Sequence, residues 1–165
     1  MKNKVTISLV VPVYGVEKYI AEFARSVFSQ SYQHVQYIFV NDGTKDRSME
    51  VLQELIDSRY PHMLERIVIV NKKNGGLPSA RRTGLEHATG DYIYNVDPDD
   101  WLTPGSMEKI ARVAADTDAD IVYFDYVKEY DTRSSIKKEK FYCAETKAEY
   151  VSDMYNHNAY GTLFN

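Results

Sequence analysis

The sequence predicts an α/β fold in which a mostly parallel sheet carries helices on both faces. Short apolar runs rich in β-branched residues alternate with longer segments of helical period, which is the pattern of parallel strands joined by helical crossovers. The apolar runs are nearly continuous, as strands buried on both faces require. With 165 residues, 44% of them hydrophobic, the chain is long enough for one domain with its own core.

Five segments are predicted to be strands of this sheet. Each is a short run that consists almost entirely of apolar residues, with little of the alternation typical of a half-exposed strand. They cover residues 6–11, 35–40, 66–70, 92–96 and 121–126.

The segments between these strands have the apolar period of helices. They cover residues 16–29, 47–56 and 104–115, and a further helix is expected to open at Arg81 and Arg82. Asp46 is placed to cap the second of the three helices. Thr103 before Pro104 predicts an N-cap followed by a first-turn proline for the third.

The pattern changes after the fifth predicted strand. Polar residues surround a charged turn in residues 126–142, which predicts an antiparallel ribbon, and residues 146–157 are interpreted as a helix. Apolar character is still rising in residues 161–165. We therefore expect residues 1–165 to form a single domain that is truncated on its C-terminal side.

Charge and cysteine content exclude several classes of protein. The chain has 24 acidic and 20 basic residues and a net charge of −4, so it lacks the positive field that holds nucleic acid. Its single cysteine, Cys143, permits neither an internal disulfide nor a thiolate metal cage. No apolar run approaches the roughly 20 residues of a transmembrane segment, and no signal peptide is evident. The sequence therefore predicts a soluble, cytoplasmic protein.

Four of the predicted strands are followed by residues that are unusual for loops. Open parallel sheets bind their ligands beyond the carboxyl ends of the strands, so these positions are the candidates for chemistry. They are Pro12-Val13-Tyr14-Gly15, Asn41-Asp42-Gly43, residues 71–76 and Asp97-Pro98-Asp99-Asp100. For Asp42 and the acidic segment to share one crevice, the first and fourth strands must be neighbours, in the sheet order 3-2-1-4.

Three carboxylates in four residues are the sharpest feature of the sequence. Crowded carboxylates raise one another's pKa unless a cation neutralises them, so the segment favours a hard divalent metal. Pro98 fixes its own φ and biases Asp97 toward an extended conformation, which would hold Asp97 and Asp99 in a defined relation. A solvated acidic turn that caps the next helix is the alternative, and the four residues alone leave both open.

The other candidate residues also have an ordinary structural interpretation. Asp42 before Gly43 is common turn chemistry, and the glycines after Asn74 form a plausible loop that also permits close approach of a ligand. Arg81 fits either a solvated basic face or a contact with a diphosphate or a base edge.

Together, the ordered motifs resemble the family 2 inverting glycosyltransferases of the GT-A fold. The chain departs from the family pattern at Gly15 and Arg82, where the family has Asn, and at Pro98, where it has Ser. The resemblance extends through Val10-Val11-Pro12-Val13-Tyr14 with Glu17, Val40-Asn41-Asp42-Gly43-Thr44 with Asp46 and Ser48, Asn74-Gly75-Gly76 with Ala80-Arg81, Gly90-Asp91-Tyr92-Ile93, and Asp97-Pro98-Asp99-Asp100-Trp101-Leu102.

The resemblance implies that a nucleotide-diphosphate sugar binds in the crevice, a UDP-sugar being favoured. It places Asp42 on the base and Arg81 near the base or the diphosphate. Asp97 and Asp99 match the family's metal-binding pair, with Asp97 toward the ribose and Asp99 on a Mn2+ or Mg2+ ion. The implied nucleotide-binding residues are Pro12, Val13, Tyr14, Glu17, Asp42, Asn74, Gly75, Arg81 and Asp97.

The resemblance also implies transfer with inversion to a glycan or lipid-linked acceptor, as in polysaccharide biosynthesis. The family's general base follows well after the metal motif, so we expect it beyond Asn165 and expect this chain alone to be nearly inactive. Peripheral membrane contact is compatible with the full-length protein. The alternative is a non-catalytic module that binds a nucleotide sugar without turning it over.

Overall fold

The computed structural model describes residues 4–130, 133–137 and 162–164. Strands and helices alternate through most of this part of the chain, and a short 3-10 helix, Pro61–Arg66, leads into the third strand. The elements are β1 (Ile7–Val13), α1 (Ile20–Phe28), β2 (Val35–Asn41), α2 (Ser48–Arg59), β3 (Ile67–Asn71), α3 (Leu77–Glu86), β4 (Tyr92–Asn95), α4 (Ser106–Thr117), β5 (Ile121–Tyr123), β6 (Tyr126–Tyr130), β7 (Arg133–Lys137) and β8 (Thr162–Phe164).

The main sheet has the order β3-β2-β1-β4-β8-β5. β1 pairs in parallel with β2 and with β4, and β2 pairs in parallel with β3. The predicted 3-2-1-4 order of parallel strands is therefore confirmed. β8 then lies antiparallel to both β4 and β5. β6 and β7 form the predicted antiparallel ribbon as a separate two-stranded sheet.

The two faces of the sheet are covered by different helices. Along β1, Leu9 and Val11 belong to one buried cluster with residues of α1, α2 and α4. Val10 belongs to a smaller cluster on the opposite face, together with Ala80 of α3. This alternation has the period of two that a strand imposes, so the helices lie on both faces as predicted.

Glycine at position 84 sets the distance between α3 and the sheet. A Cβ atom built there would lie 2.2 Å from Val10 Cγ1, which is closer than any real contact. The missing side chain lets the helix pack directly on β1. This close packing places the N-terminal half of α3 above the carboxyl end of the sheet.

Several predicted boundaries were wrong. α1 begins at Ile20 and not at residue 16, because the backbone of residues 15–17 is hydrogen-bonded to another loop. α4 begins at Ser106 after Gly105, whose φ of 74° is outside the helical region, so Thr103 and Pro104 do not form its cap.

The C-terminal part of the chain differs from its prediction in two further ways. The fifth strand stops at Tyr123 and not at residue 126, and β8 was not predicted. A three-residue strand is too short to show any period. The predicted helix at 146–157 and residues 138–142 of the ribbon lie outside the described residues. No helix in the described part has the length and apolar character that a membrane span requires.

Candidate functional site

The loops that carry the candidate residues leave the sheet at one edge. In the register of the parallel strands, Val13 lies opposite Asn41, and Asn41 lies opposite Asn71. β4 ends slightly earlier, where Val96 donates its backbone N–H to the Val10 carbonyl at 3.0 Å. Asp42 and the acidic segment thus follow β2 and β4, the two strands that flank β1.

Asp42 is buried at this edge, with 3% of its surface exposed. Its Oδ1 accepts hydrogen bonds from Lys72 Nζ at 2.5 Å and from the Gly75 amide at 2.9 Å, and its Oδ2 accepts one from the Gly76 amide at 2.8 Å. Burial alone would raise the pKa of Asp42, but these bonds outweigh it and hold the pKa below its ordinary value. Asp42 therefore fastens the loop after β3 to the end of β2.

The geometry of the loop between β3 and α3 accounts for the two candidate glycines, Gly75 and Gly76. A Cβ at Gly75 would lie 2.7 Å from Ser79 Oγ and 2.9 Å from Lys72 Nζ, so a side chain there would displace the hydroxyl or the ammonium group that bonds Asp42. Gly76 has a φ of 81° and precedes the first residue of α3. Asn74, in the same loop, is exposed. Lys72 was missed by the sequence analysis, because two consecutive lysines after a strand are indistinguishable from a solvated turn.

The loop between β1 and α1 is held by three successive amides. Gly15 N–H donates to Thr44 Oγ1 at 2.9 Å, Val16 N–H to Ser48 Oγ at 3.0 Å, and the next amide to Asp46 Oδ2 at 3.0 Å. Two of the acceptors lie between β2 and α2, and the third, Ser48, is the first residue of α2. The two loops therefore share one hydrogen-bond network.

Asp46 is the centre of this network. Its Oδ1 accepts from Thr44 Oγ1 and from both the hydroxyl and the backbone N–H of Ser48, the first residue of α2. The N-cap of α2 is Arg47, which makes no side-chain cap bond, so the predicted position of the cap was wrong by one residue; Asp46 accepts the Ser48 N–H from the residue before it. Burial opposes ionisation, but the bonds from Ser48, Thr44 and the Glu17 amide lower the pKa of Asp46 to about 2.

The remaining residues of the first candidate motif fall into two groups. Pro12 and Val13 are buried in β1, so only their backbone can face a ligand. Tyr14 is exposed over 53% of its surface. Glu17 accepts the Arg47 N–H at 3.1 Å and also lines an open depression beside the network.

The acidic segment, residues 97–100, forms an ion pair with a basic side chain of α3. Arg81 Nη2 lies 2.7 Å from Asp97 Oδ1, and the two side chains are 37% and 42% exposed. Asp99 is exposed. Desolvation, followed by the negative charges of Asp99 and Asp97, raises the pKa of Asp100. The structure thus brings together Arg81 and Asp97, which the resemblance had placed on different parts of a ligand.

Two side chains of the α1 region anchor the backbone that follows the acidic segment. Ser26 Oγ accepts the Leu102 N–H at 3.1 Å. Gln30 is 4% exposed, donates to the Thr103 carbonyl at 3.1 Å and accepts the N–H of Met107 at 3.3 Å. Sequence analysis missed both, because their partners lie more than 70 residues away along the chain.

In the described part of this edge, the side chains that could bind a metal ion include the carboxylates of Asp97, Asp99 and Asp100. Within the described residues, no group of three or more His, Cys, Asp or Glu side chains is arranged to enclose a metal ion.

Comparison with known proteins identifies the family. The family model described as glycosyl transferase family 2 matches residues 8–164. The chain belongs to glycosyl transferase family 2. It is 31% identical over 162 residues to the putative glycosyltransferase EpsH of Bacillus subtilis, and 35% identical over 120 residues to the glycosyltransferase GlyA of Streptococcus pneumoniae. These alignments cover 96% and 73% of this chain but 45% and 16% of those proteins.

Solved structures support the GT-A fold of this family 2 chain. TarS residues 1–349 of S. aureus in complex with UDP superimpose with a TM-score of 0.64 at 24% identity, covering 72% of this chain and 34% of that one. The mannosyltransferase PcManGT of Pyrobaculum calidifontis, in complex with GDP-Man and Mn2+, gives a TM-score of 0.67 at 19% identity, covering 74% and 36%. At this level of identity the likeness concerns the fold alone.

Proposed function

We propose that the chain is the donor-binding part of a glycosyltransferase that moves a sugar from a nucleotide diphosphate to a glycan or lipid-linked acceptor with inversion. The observation that carries this proposal is the position of Asp42 and of residues 97–100 after the two strands that flank β1. A ligand in this crevice can be contacted by both, as at the switch point of other open α/β sheets. Family membership supports the proposal.

Asp42 is the residue proposed to contact the base. An ionised carboxylate has about four acceptor sites, and Lys72, Gly75 and Gly76 use three of those on Asp42. The free site on Oδ2 can accept an N–H from the edge of a base. Uracil offers such a donor at N3, and a UDP-sugar is the favoured donor, although guanine offers one at N1.

The surrounding loops are proposed to line the rest of the nucleotide site. The backbone of Pro12, Val13 and Tyr14 lies at the end of β1, next to Asp42. Glu17 lies on the loop between β1 and α1, and the Asn74-Gly75 segment lies on the loop between β3 and α3. Because hydrogen bonds within the chain hold these loops, little backbone ordering is required when the nucleotide binds.

Asp97 and Asp99 are proposed to hold a divalent metal ion together with the donor. Carboxylate oxygens are hard ligands suited to Mn2+ or Mg2+, and Mg2+ is commonly held by one or two carboxylates and substrate phosphates. The donor set therefore fits an ion that arrives with a diphosphate. When bound, such an ion stabilises the charge on the leaving diphosphate.

The chain's own residues bind and orient the donor in this scheme. Asp97 is proposed to accept a hydrogen bond from a ribose hydroxyl. Arg81 carries a charge opposite to that of the diphosphate. Ser26 and Gln30 fix the backbone that follows the acidic segment. The general base that takes the acceptor's proton is proposed to lie beyond Asn165.

Thermal unfolding in the presence of nucleotides tests this proposal. UDP, GDP and dTDP are compared with and without Mn2+ or Mg2+, and with excess chelator. A ligand at 100 times its dissociation constant stabilises a protein by about 2.7 kcal/mol, which corresponds to roughly 5–11 °C for a domain of this size. We expect such a shift only when a nucleoside diphosphate and a metal ion are both present.

Two variants assign the metal role to a residue. Asp99→Asn is expected to lose the metal-dependent shift. Asp116→Asn, which removes an exposed carboxylate from α4, is the matched control and is expected to keep it. No shift with any nucleoside diphosphate would overturn the proposed function. Equal shifts in excess chelator would remove the metal from it.

A further inference from the structure

The ion pair between Arg81 and Asp97 places a positive charge on a carboxylate that the proposed function assigns to a divalent metal. Arg81 belongs to α3, which Gly84 allows to pack directly on Val10 of β1. From there its Nη2 reaches Asp97 Oδ1 at 2.7 Å. The guanidinium is thus brought to the end of β4 by a rigidly packed helix.

The Arg81–Asp97 ion pair is exposed to solvent, and it does not use all the hydrogen bonds that its two groups can form. Both side chains are about two-fifths exposed, so water and solutes can reach the pair. One hydrogen bond joins them, although guanidinium and carboxylate can form two parallel ones. Arg81 Nε is buried without a hydrogen-bond partner among the described residues. Among the described residues the guanidinium uses one N–H on Asp97, so it has donors left for another anion, and the buried Nε becomes available only when the side chain moves.

We propose that Arg81 is a stand-in cation, which neutralises Asp97 while the donor is absent and moves to the donor's diphosphate when metal and nucleotide bind together. This inference rests on the proposed function. A divalent ion and a guanidinium on the same carboxylate repel each other. The diphosphate offers the displaced guanidinium several anionic oxygens, two of which its planar fork of donors can bind at once.

Opposite effects on two binding reactions follow from this exchange. Without nucleotide, Arg81 competes with the metal, so the metal alone binds weakly. With a nucleoside diphosphate, Arg81 gains a new partner, so the same side chain favours the ternary complex. Removal of its charge should therefore strengthen one reaction and weaken the other. A residue with only a structural role would not change the two affinities in opposite directions.

The test measures both affinities in the 165-residue chain. Binding of Mn2+ alone is followed from the electron paramagnetic resonance signal of free Mn2+, and binding of UDP at saturating Mn2+ by calorimetry. For Arg81→Gln we expect Mn2+ alone to bind about two- to five-fold more tightly, as the loss of one exposed ion pair allows. We expect UDP with Mn2+ to bind about ten-fold or more weakly, as the loss of hydrogen bonds to a charged group predicts.

Arg82→Gln is the matched control, since it removes an equal charge from the neighbouring, exposed position. It is expected to change either affinity by less than about two-fold. Arg81→Met keeps the aliphatic stem, carries the same expectation as Arg81→Gln, and replaces it if that variant does not fold.

The outcomes separate this inference from the proposed function. If the wild-type chain does not bind UDP with Mn2+, the proposed function fails and this inference fails with it. If wild type binds but Arg81→Gln leaves the affinity for Mn2+ alone unchanged or lower, only the stand-in role is overturned. An equal gain in Arg82→Gln would overturn it too, because the effect would then be one of general charge. An unchanged affinity for UDP would refute the move to the diphosphate.

Discussion

Replacement of Asp46 by Asn tests the network that holds the two loops at the edge of the sheet. The carboxylate accepts hydrogen bonds from both neighbouring loops and from the first turn of α2. Asn retains one acceptor oxygen, but its NH2 group would face an N–H or O–H donor. The substitution therefore removes at least one bond and leaves a donor without an acceptor.

The pKa of Asp46 sets the size of the effect. A decrease from 3.8 to about 2 corresponds to roughly 2.4 kcal/mol at 1.36 kcal/mol per pKa unit. Because the side chain is partly exposed, solvent screening reduces this to about 1–2 kcal/mol. In a domain of this size, that loss lowers the melting temperature by roughly 2–8 °C.

The pH dependence has a definite sign. A carboxylate whose folded-state pKa is depressed stabilises the fold above its unfolded-state pKa, and this contribution is lost as the pH falls through the folded value. For the two pKa values of Asp46, about half of the contribution is lost by pH 3. The difference in stability between wild type and Asp46→Asn should therefore be largest at neutral pH and shrink on acidification.

Urea unfolding followed by circular dichroism at pH 7 and at lower pH provides the measurement. Asp57→Asn is the matched control, because Asp57 lies exposed on α2 and accepts one bond, from Gln53. It should cost less than about 0.5 kcal/mol. If Asp46→Asn costs no more than this control at pH 7, or if its cost does not decrease with pH, the network does not stabilise the loops as argued.

Three further predictions concern other parts of the site. Asp42→Asn leaves the Lys72 ammonium without its carboxylate, so we expect a loss of about 3 kcal/mol in urea unfolding and weaker UDP binding by calorimetry; wild-type values for both would contradict the role of Asp42. Gly84→Ala places a methyl group against Val10 and should cost about 1–3 kcal/mol in the same unfolding assay, whereas unchanged stability would show that α3 can move away from β1. The 165-residue chain should release nucleoside diphosphate from nucleotide sugars slowly, at least about 10²-fold below a version extended past Asn165 with an acceptor; robust acceptor-dependent transfer by the short chain would place the base within it.

The central part of the fold could be predicted from the sequence because buried parallel strands are continuous apolar runs. The order of the first four strands followed from the requirement that Asp42 and the acidic segment share one crevice. The start of α1 could not be predicted in this way. Val16 and Ile20 have helical spacing, but hydrogen bonds from a loop about 30 residues away hold the backbone of residues 15–17 outside the helix.

The sequence indicated which residues are candidates for the site, but it did not indicate which side chains they contact. Asp42 and Asp97 could be selected as candidates because polar groups after buried strands are conspicuous, and Arg81 was selected through the family resemblance. Their partners are set by how closely α3 packs on β1 and by the path of the loop after β3. A sequence pattern carries no information on these distances, so neither the Arg81–Asp97 pair nor the Lys72–Asp42 contact could be predicted.

The antiparallel strand β8 makes the integrity of the sheet depend on three residues that lie far along the chain from the strands that they join. β5 pairs with β8 and, in the described part of the chain, with no other strand. A chain cut before Thr162 would leave both β4 and β5 with an unpaired edge. Open edges of this kind recruit strands from other molecules. Shortened versions that keep every residue of the candidate site can therefore still be lost to aggregation, and preparations intended for binding studies should retain Thr162–Phe164.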